Sequence, residues 1–202
     1  MTRGLLAAAA LVGAAVAVRA TTPVASAVAA GGLPVAAAYA DGAPPGFSGG
    51  FGEQSCHACH FHEEVNAAPG RATLTGVPEQ YAGGERYALT IALTRAGMRA
   101  GGFQLSARFA DGGTQAGRLA PGAGDETRVK VERPQAIEYA GQRRAGARPA
   151  ANDALRWTLV WTAPSQGGPV QFHVAANAAD NDETASGDFV YTTTATSRPK
   201  RP

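Results

Sequence analysis

Beyond Gly70 the chain is made of short runs in which apolar residues recur at every second position. Leu155, Trp157, Leu159 and Trp161 form the clearest run. Tyr87, Leu89, Ile91 and Leu93 form another, as do Phe103, Leu105, Ala107 and Phe109. Alternation of this kind puts successive side chains on opposite sides of an extended backbone, so each run predicts a strand with one buried face. Val129 with Val131, Val170-Phe172-Val174 and Phe189-Val190-Tyr191 predict shorter strands. Turn signals punctuate them at Gly83-Gly84, Gly101-Gly102, Asp111-Gly112-Gly113, Pro121-Gly122 and Gly167-Gly168-Pro169. No long stretch in this region keeps a helical period. Strands separated by turns, without helices between them, predict an all-β fold, an antiparallel sandwich or barrel. The tryptophans and strand aromatics are expected in its core. The basic, Ala-rich stretch from Gly141 to Asp153 has no pattern and is expected to be a long connection.

The first forty residues are different. Met1-Thr2-Arg3-Gly4 precedes an uncharged apolar run from Leu5 to Val18, the layout of a secretory leader and too short to span a bilayer as a helix. Small-x-small cleavage sequences occur at Ala25-Ser26-Ala27 and Ala38-Tyr39-Ala40, and polar, turn-rich sequence starts at Asp41. A signal peptide over 1–40 is therefore expected, with a periplasmic or secreted product. The other reading is an uncleaved anchoring helix, the one case in which a membrane would be a partner. Arg3 and Arg19 account for the net charge of +2, because the rest of the chain has equal numbers of basic and acidic residues. No basic patch remains to recruit nucleic acid.

Between leader and strands lies a Gly/Pro-rich segment, 41–70, containing the chain's two cysteines. Residues 56–64 read Cys-His-Ala-Cys-His-Phe-His-Glu-Glu, and Cys-x-x-Cys-His is the attachment sequence of c-type haem. The spacing follows from the chemistry. Thiols at Cys56 and Cys59 reach two vinyl groups as thioethers, and His60 directly after them comes under the iron as proximal ligand. Two other chemistries use the same residues: a structural or redox Cys56–Cys59 disulfide, and a zinc or copper site from Cys56, Cys59, His60 and His62. Covalent haem c accounts for the motif and the export together.

The sixth iron ligand is open at this level. His57 lies inside the attachment loop and His62 only two residues past the proximal ligand, which leaves His173 and Met98 as distal candidates. His173 falls on the non-core parity of its strand, where a solvated surface histidine is the bland reading. Met98 sits in a Gly-rich turn. A polar cluster, Asn177 to Glu183 with Asp188 beyond it, lacks the spacing of a calcium loop and reads as a solvated turn between the last two strands.

Several segments together resemble the bacterial choice-of-anchor V or reelin-domain-like proteins. They are Gly42-Ala-Pro-Pro-Gly46, Gly52-Glu53-Gln-Ser-Cys56-His-Ala-Cys59-His60, Tyr81-x-x-Gly84, Gly102-Phe-Gln-Leu105, Trp161-Thr-Ala-Pro164, Gly168-Pro-Val-Gln-Phe172, Ala175-Ala-Asn177 and Gly187-Asp188-Phe-Val-Tyr191. The resemblance spans nearly all of 42–192. It implies an extracytoplasmic, Ig-like (reelin-like) β-sandwich over 71–195, preceded by the Cys-x-x-Cys-His segment and followed by a basic tail, 196–202. The chain departs from the family in ending without the sorting or anchoring segment that members commonly carry, which points to a soluble product. It also has His173 where members show an aromatic residue, and lacks a His-Thr pair near Tyr139-Ala140.

The expected function is that of an exported monohaem c-type protein, an electron carrier or haem-bearing module of a redox chain with an unidentified partner protein. The alternative is a non-redox cell-envelope or extracellular binding domain with a Cys56–Cys59 disulfide. No catalytic residue is indicated.

Overall fold

Each alternating run forms a strand, and four strands too short to alternate visibly join them. The computed structural model describes Met1 and residues 39–126, 128–149, 153–182 and 184–201. Residues 2–38 of the expected leader lie outside the described residues. The strands are β1 (Arg71–Thr75), β2 (Gln80–Tyr81), β3 (Arg86–Thr94), β4 (Ala100–Phe109), β5 (Arg118–Pro121), β6 (Val129–Glu132), β7 (Tyr139–Gln142), β8 (Ala154–Thr162), β9 (Val170–Ala179) and β10 (Phe189–Pro199).

They build a two-sheet all-β sandwich. The smaller sheet has the order β1-β3-β8-β5 and the larger β2-β10-β9-β4-β7-β6. Pairing is antiparallel except where β2 joins the end of β10 in parallel. The last strand runs to Pro199, so the predicted end of the sandwich at 195 falls inside β10. The patternless stretch expected to be a connection from Gly141 begins inside β7 and continues as a single 3-10 turn, Arg144–Gly146. All four residues of β7 are buried, so no polar alternation marks it in the sequence. Among the described residues no helix is long and apolar enough to cross a membrane.

The core lies between the sheets, where the alternating apolar positions meet. Leu89, Ile91 and Leu93 of β3 and Leu155, Trp157, Leu159 and Trp161 of β8 face Phe103, Leu105 and Ala107 of β4 and Val170, Phe172 and Val174 of β9. Trp161 is the centre of an aromatic cluster. Its ring stands edge-on to Tyr81 at 5.5 Å and Phe172 at 4.9 Å, and tilted against Tyr87 at 5.6 Å. Both indole N–H groups donate to carbonyls, Trp157 to Gly146 and Trp161 to Ala116, each at 2.9 Å. Burying a large apolar side chain contributes about 1.5–3 kcal/mol, and the satisfied N–H removes the penalty a buried tryptophan would otherwise carry.

One feature departs from simple alternation. In β4 residues 103–108 are buried without a break, and in β9 residues 174–178 are. A strand buried on both faces is covered on both sides. One cover is the smaller sheet. The other is the segment that carries the cysteines.

Candidate functional site

The Gly/Pro-rich segment crosses the outer face of the larger sheet as a strap, held down by polar contacts. Phe47 N–H donates to Gln104 Oε1 at 2.5 Å, and the Gln104 amide donates to Pro44 O at 2.8 Å. Ser48 Oγ donates to Glu53 Oε2 at 2.8 Å, so the hydroxyl of Ser106, 2.9 Å away, donates to Ser48. Glu53 Oε1 receives both the Arg108 guanidinium and the Tyr139 hydroxyl, and Arg108 also reaches the Tyr139 oxygen at 2.5 Å. Burial pulls the Glu53 carboxyl upward, but the hydrogen bonds from Tyr139, Arg108 and Ser48, with the Arg108 charge, outweigh it and hold the group below its ordinary value. Burial and the Glu53 hydrogen bond push the Tyr139 phenol up to about 12.

Where the strap passes His173 it must come close. A Cβ at Gly50 would lie 2.3 Å from His173 Cγ, so only glycine permits the approach. The next residue, Phe51, stands edge-on to the His173 ring at 5.2 Å. His173 occupies the non-core face, as its parity predicts, but it is half-buried under the strap and is no solvated surface residue. Burial first, and then the Arg108 charge, lower its pKa.

Past Glu53 the strap makes a single 3-10 turn, Cys56–Ala58, capped by Ser55, whose Oγ accepts from His57 N–H at 3.3 Å. In a 3-10 turn positions three apart eclipse, which brings the backbones of Cys56 and Cys59 to one side. His60 N–H closes the turn on Cys56 O at 3.0 Å. His57 is tied to Glu63 O at 3.1 Å. Cys59 is exposed, whereas burial pushes the Cys56 thiol up to about 12; the thiols are not bonded to each other.

His60 is aimed by groups from the far end of the chain. Its Nδ1 lies 2.5 Å from Asp188 Oδ2, with the Asn177 side chain alongside. The carboxylate can only accept, so Nδ1 carries the proton and Nε2 keeps its lone pair for a ligand. Asp188 is 1% exposed, and its second oxygen, like Asn177 Oδ1, is buried without a hydrogen-bond partner among the described residues. The expected solvated turn between the last two strands is present over the described residues from Asp180 to Gly187, but Asn177 and Asp188 at its two ends are not part of its exposed surface. Asn177 lies at the end of β9 and Asp188 directly before β10, and both are buried against His60. No sequence signal distinguished them from their acidic and amide neighbours.

Cys56, Cys59 and His60 line a cavity of about 320 Å³, together with Asn177 and Asp188. Its apolar wall includes Pro44, Phe47 and Ala100 to Phe103, and Tyr39 and Ala40 of the predicted leader also contribute. Neither distal candidate is in the lining. Met98, expected in an open turn, is 4% exposed within the hydrophobic core, and His173 lies under Gly50 and Phe51. His62 is exposed and does not reach the cavity. Among the described residues no three His, Cys, Asp or Glu side chains converge as a site for a metal ion, neither at Cys56–His62 nor in the loop before Asp188.

The residues present fit a covalent haem. Two cysteines border one largely apolar cavity, and the adjoining imidazole has its outer nitrogen bound to a buried carboxylate, the arrangement that orients a metal-binding histidine.

No protein-family model matches this chain, and no curated protein matches it. Among solved structures, the human F-spondin reeler domain is similar at 16% identity and a TM-score of 0.45, covering 67% of this chain and 93% of that one. A Reelin-N domain of F-spondin is similar at 16% identity and 0.46, covering 69% and 93%. A cohesin module from a Clostridium perfringens family 33 glycoside hydrolase is similar at 8% identity and 0.45, covering 66% and 98%. The assignment to a two-sheet all-β sandwich stands on the strand pairing itself.

Proposed function

We propose that this chain is an exported binding module that carries one covalently attached haem c. Cys56 and Cys59 would hold the group by thioether bonds and His60 would ligate its iron through Nε2. The observation that carries this reading is the 2.5 Å contact between His60 Nδ1 and the buried Asp188 carboxylate, in the wall of a cavity that both cysteines border. When bound, the group supplies an iron centre able to cycle by one electron. The chain's own residues orient the imidazole, exclude water with the Phe47 side of the cavity, and leave Cys59 exposed where a redox partner protein can approach. Electron transfer outside the cytoplasm is the use proposed for that arrangement.

Coexpression with a c-type maturation system tests it. Haem staining after denaturing electrophoresis is expected, and is expected to vanish when both cysteines are replaced by serine.

A second reading rests on a different observation. The strap is pinned to the sheet by Ser48, Glu53 and Phe47 without help from any cofactor. A cell-envelope binding domain with a Cys56–Cys59 disulfide would need nothing more. Absence of haem from the matured protein, with a mass lower by two hydrogens than the dithiol, would favour this reading and sink the first.

A further inference from the structure

The cavity has a second wall. The 3-10 turn Arg144–Gly146 and the residues after it stand beside the start of β4, and Arg144 and Arg148 both line the cavity. The backbone here is firmly placed. Arg144 N–H donates to Asp41 at 3.0 Å, Gly101 N–H donates to Ala147 O at 2.8 Å, and Gly146 O accepts from the buried Trp157. Both arginine side chains are exposed at the cavity's edge, and among the described residues neither forms an ion pair, with Asp41 the one carboxylate near enough for Arg144's charge to act on it. Other arginines of the sandwich do have one: Arg108 pairs with Glu53, Arg118 with Glu138 and Arg128 with Asp125. Among the described residues the one carboxylate in the lining, Asp188, is buried and engaged by His60.

A largely apolar cavity with two guanidinium groups at its edge that form no ion pair among the described residues suits a ligand with an apolar body and two carboxylates. We infer that Arg144 and Arg148 hold the two propionate groups of the haem. This rests on the haem reading above and adds the polarity of the site: the thioether edge at the strap, the carboxylate edge at the turn after β7. Guanidinium is matched to this role because its planar, permanently charged fork binds a carboxylate through two N–H donors.

Two measurements test it. In the matured protein, Arg144→Gln and Arg148→Gln together remove two positive charges beside the group, so its midpoint potential is expected to fall. Any pH-dependent step in that potential is expected to move upward as the propionates lose their partners. Arg144→Lys with Arg148→Lys is expected to restore most of the potential. In a Cys56→Ala/Cys59→Ala background, titrated with haem and with haem dimethyl ester, the free diacid is expected to bind about tenfold more tightly. The double glutamine variant should show no such preference. The ester comparison is made on unaltered arginines, so it does not depend on the variants folding. Equal affinity for acid and ester, or an unchanged potential and pH profile in a fully loaded double variant, would overturn the inference while leaving the haem reading intact. A matured wild-type protein without covalent haem would overturn both.

Discussion

The His60 imidazole and the Asp188 carboxylate, 128 residues apart in the chain, meet at 2.5 Å beneath the strap. One belongs to an irregular segment and the other to the turn before the last strand. The turn is placed by the β9–β10 pairing, which sets Val190 against Asn177. The His60 ring is thus held by the sandwich through Nδ1, and in the proposed haem site the strap would need only to deliver it.

Replacing that carboxylate tests the arrangement. Asp188→Asn keeps the size and removes the group that takes the Nδ1 proton. Loss of such an outer partner typically weakens metal ligation about 10–100-fold. The matured Asp188→Asn protein is expected to hold its thioethers but to show weakened proximal ligation, read as easier displacement of His60 by imidazole or cyanide. Unchanged displacement would mean that Asp188 has a purely structural place.

Acid is expected to loosen the strap. Glu53 has a folded pKa below its ordinary value of 4.5, so its contribution is complete above that value and is lost as the pH falls through the folded one. Hydrogen exchange of strap amides around Ser48 and Ser55 should accelerate in that window before the sandwich unfolds. Glu53→Gln should show the fast exchange already at neutral pH, with a stability loss of about 3 kcal/mol for breaking a largely buried ion pair. Asp125, also held low, lies outside the strap and continues to titrate in the variant.

Tyr139 sets the opposite limit. Its phenol is raised from 10.0 to about 12 by burial and by Glu53, so the stabilisation is present below about 10 and is lost as the pH climbs toward the folded value. Thermal melts of Tyr139→Phe are expected to be flatter than those of the wild type across that alkaline range. Parallel curves for the two proteins would contradict the assignment.

Neither distal candidate lies in the cavity wall, which predicts the spectrum of a loaded protein. The weak far-red sulfur-to-iron band should be absent, and Met98→Leu should leave the spectrum unchanged at a stability cost below about 1.5 kcal/mol. His173→Gln should likewise leave the spectrum in place. A far-red band that disappears in Met98→Leu would show that the β3–β4 turn reorganises around the group.

The Gly50–His173 approach predicts a coupling. Gly50→Ala puts a methyl group against the imidazole, at a cost of about 1–3 kcal/mol for overpacking. His173→Ala removes the obstacle, so the double variant should be more stable than the sum of the two single losses implies. Strict additivity in urea melts would mean that the strap moves aside freely.

What could be read from the residues alone is what period and covalent chemistry dictate. Leu155 to Trp161, Tyr87 to Leu93 and Phe103 to Phe109 announce strands because a strand's side chains alternate, although in the last run the strap buries the other face as well. Cys56, Cys59 and His60 stand out because the covalent haem attachment proposed for them needs that spacing. Short strands such as Tyr139–Gln142 escaped, since four residues buried on both faces carry no alternation.

Tertiary structure decided the rest. Asn177 and Asp188 read as solvent-facing because polar side chains normally are, and Ser106 and Arg108 alternate with the apolar row of β4, yet each of the four is buried. The strap supplies most of their hydrogen bonds and charges. A polar residue's fate depends on whether a partner arrives through space, and separations such as that between His60 and Asp188 leave no trace in local sequence. The same holds for the cavity. Its walls come from the strap, β4, the turn after β7 and the end of β9, elements that meet only because the sheet order brings them together.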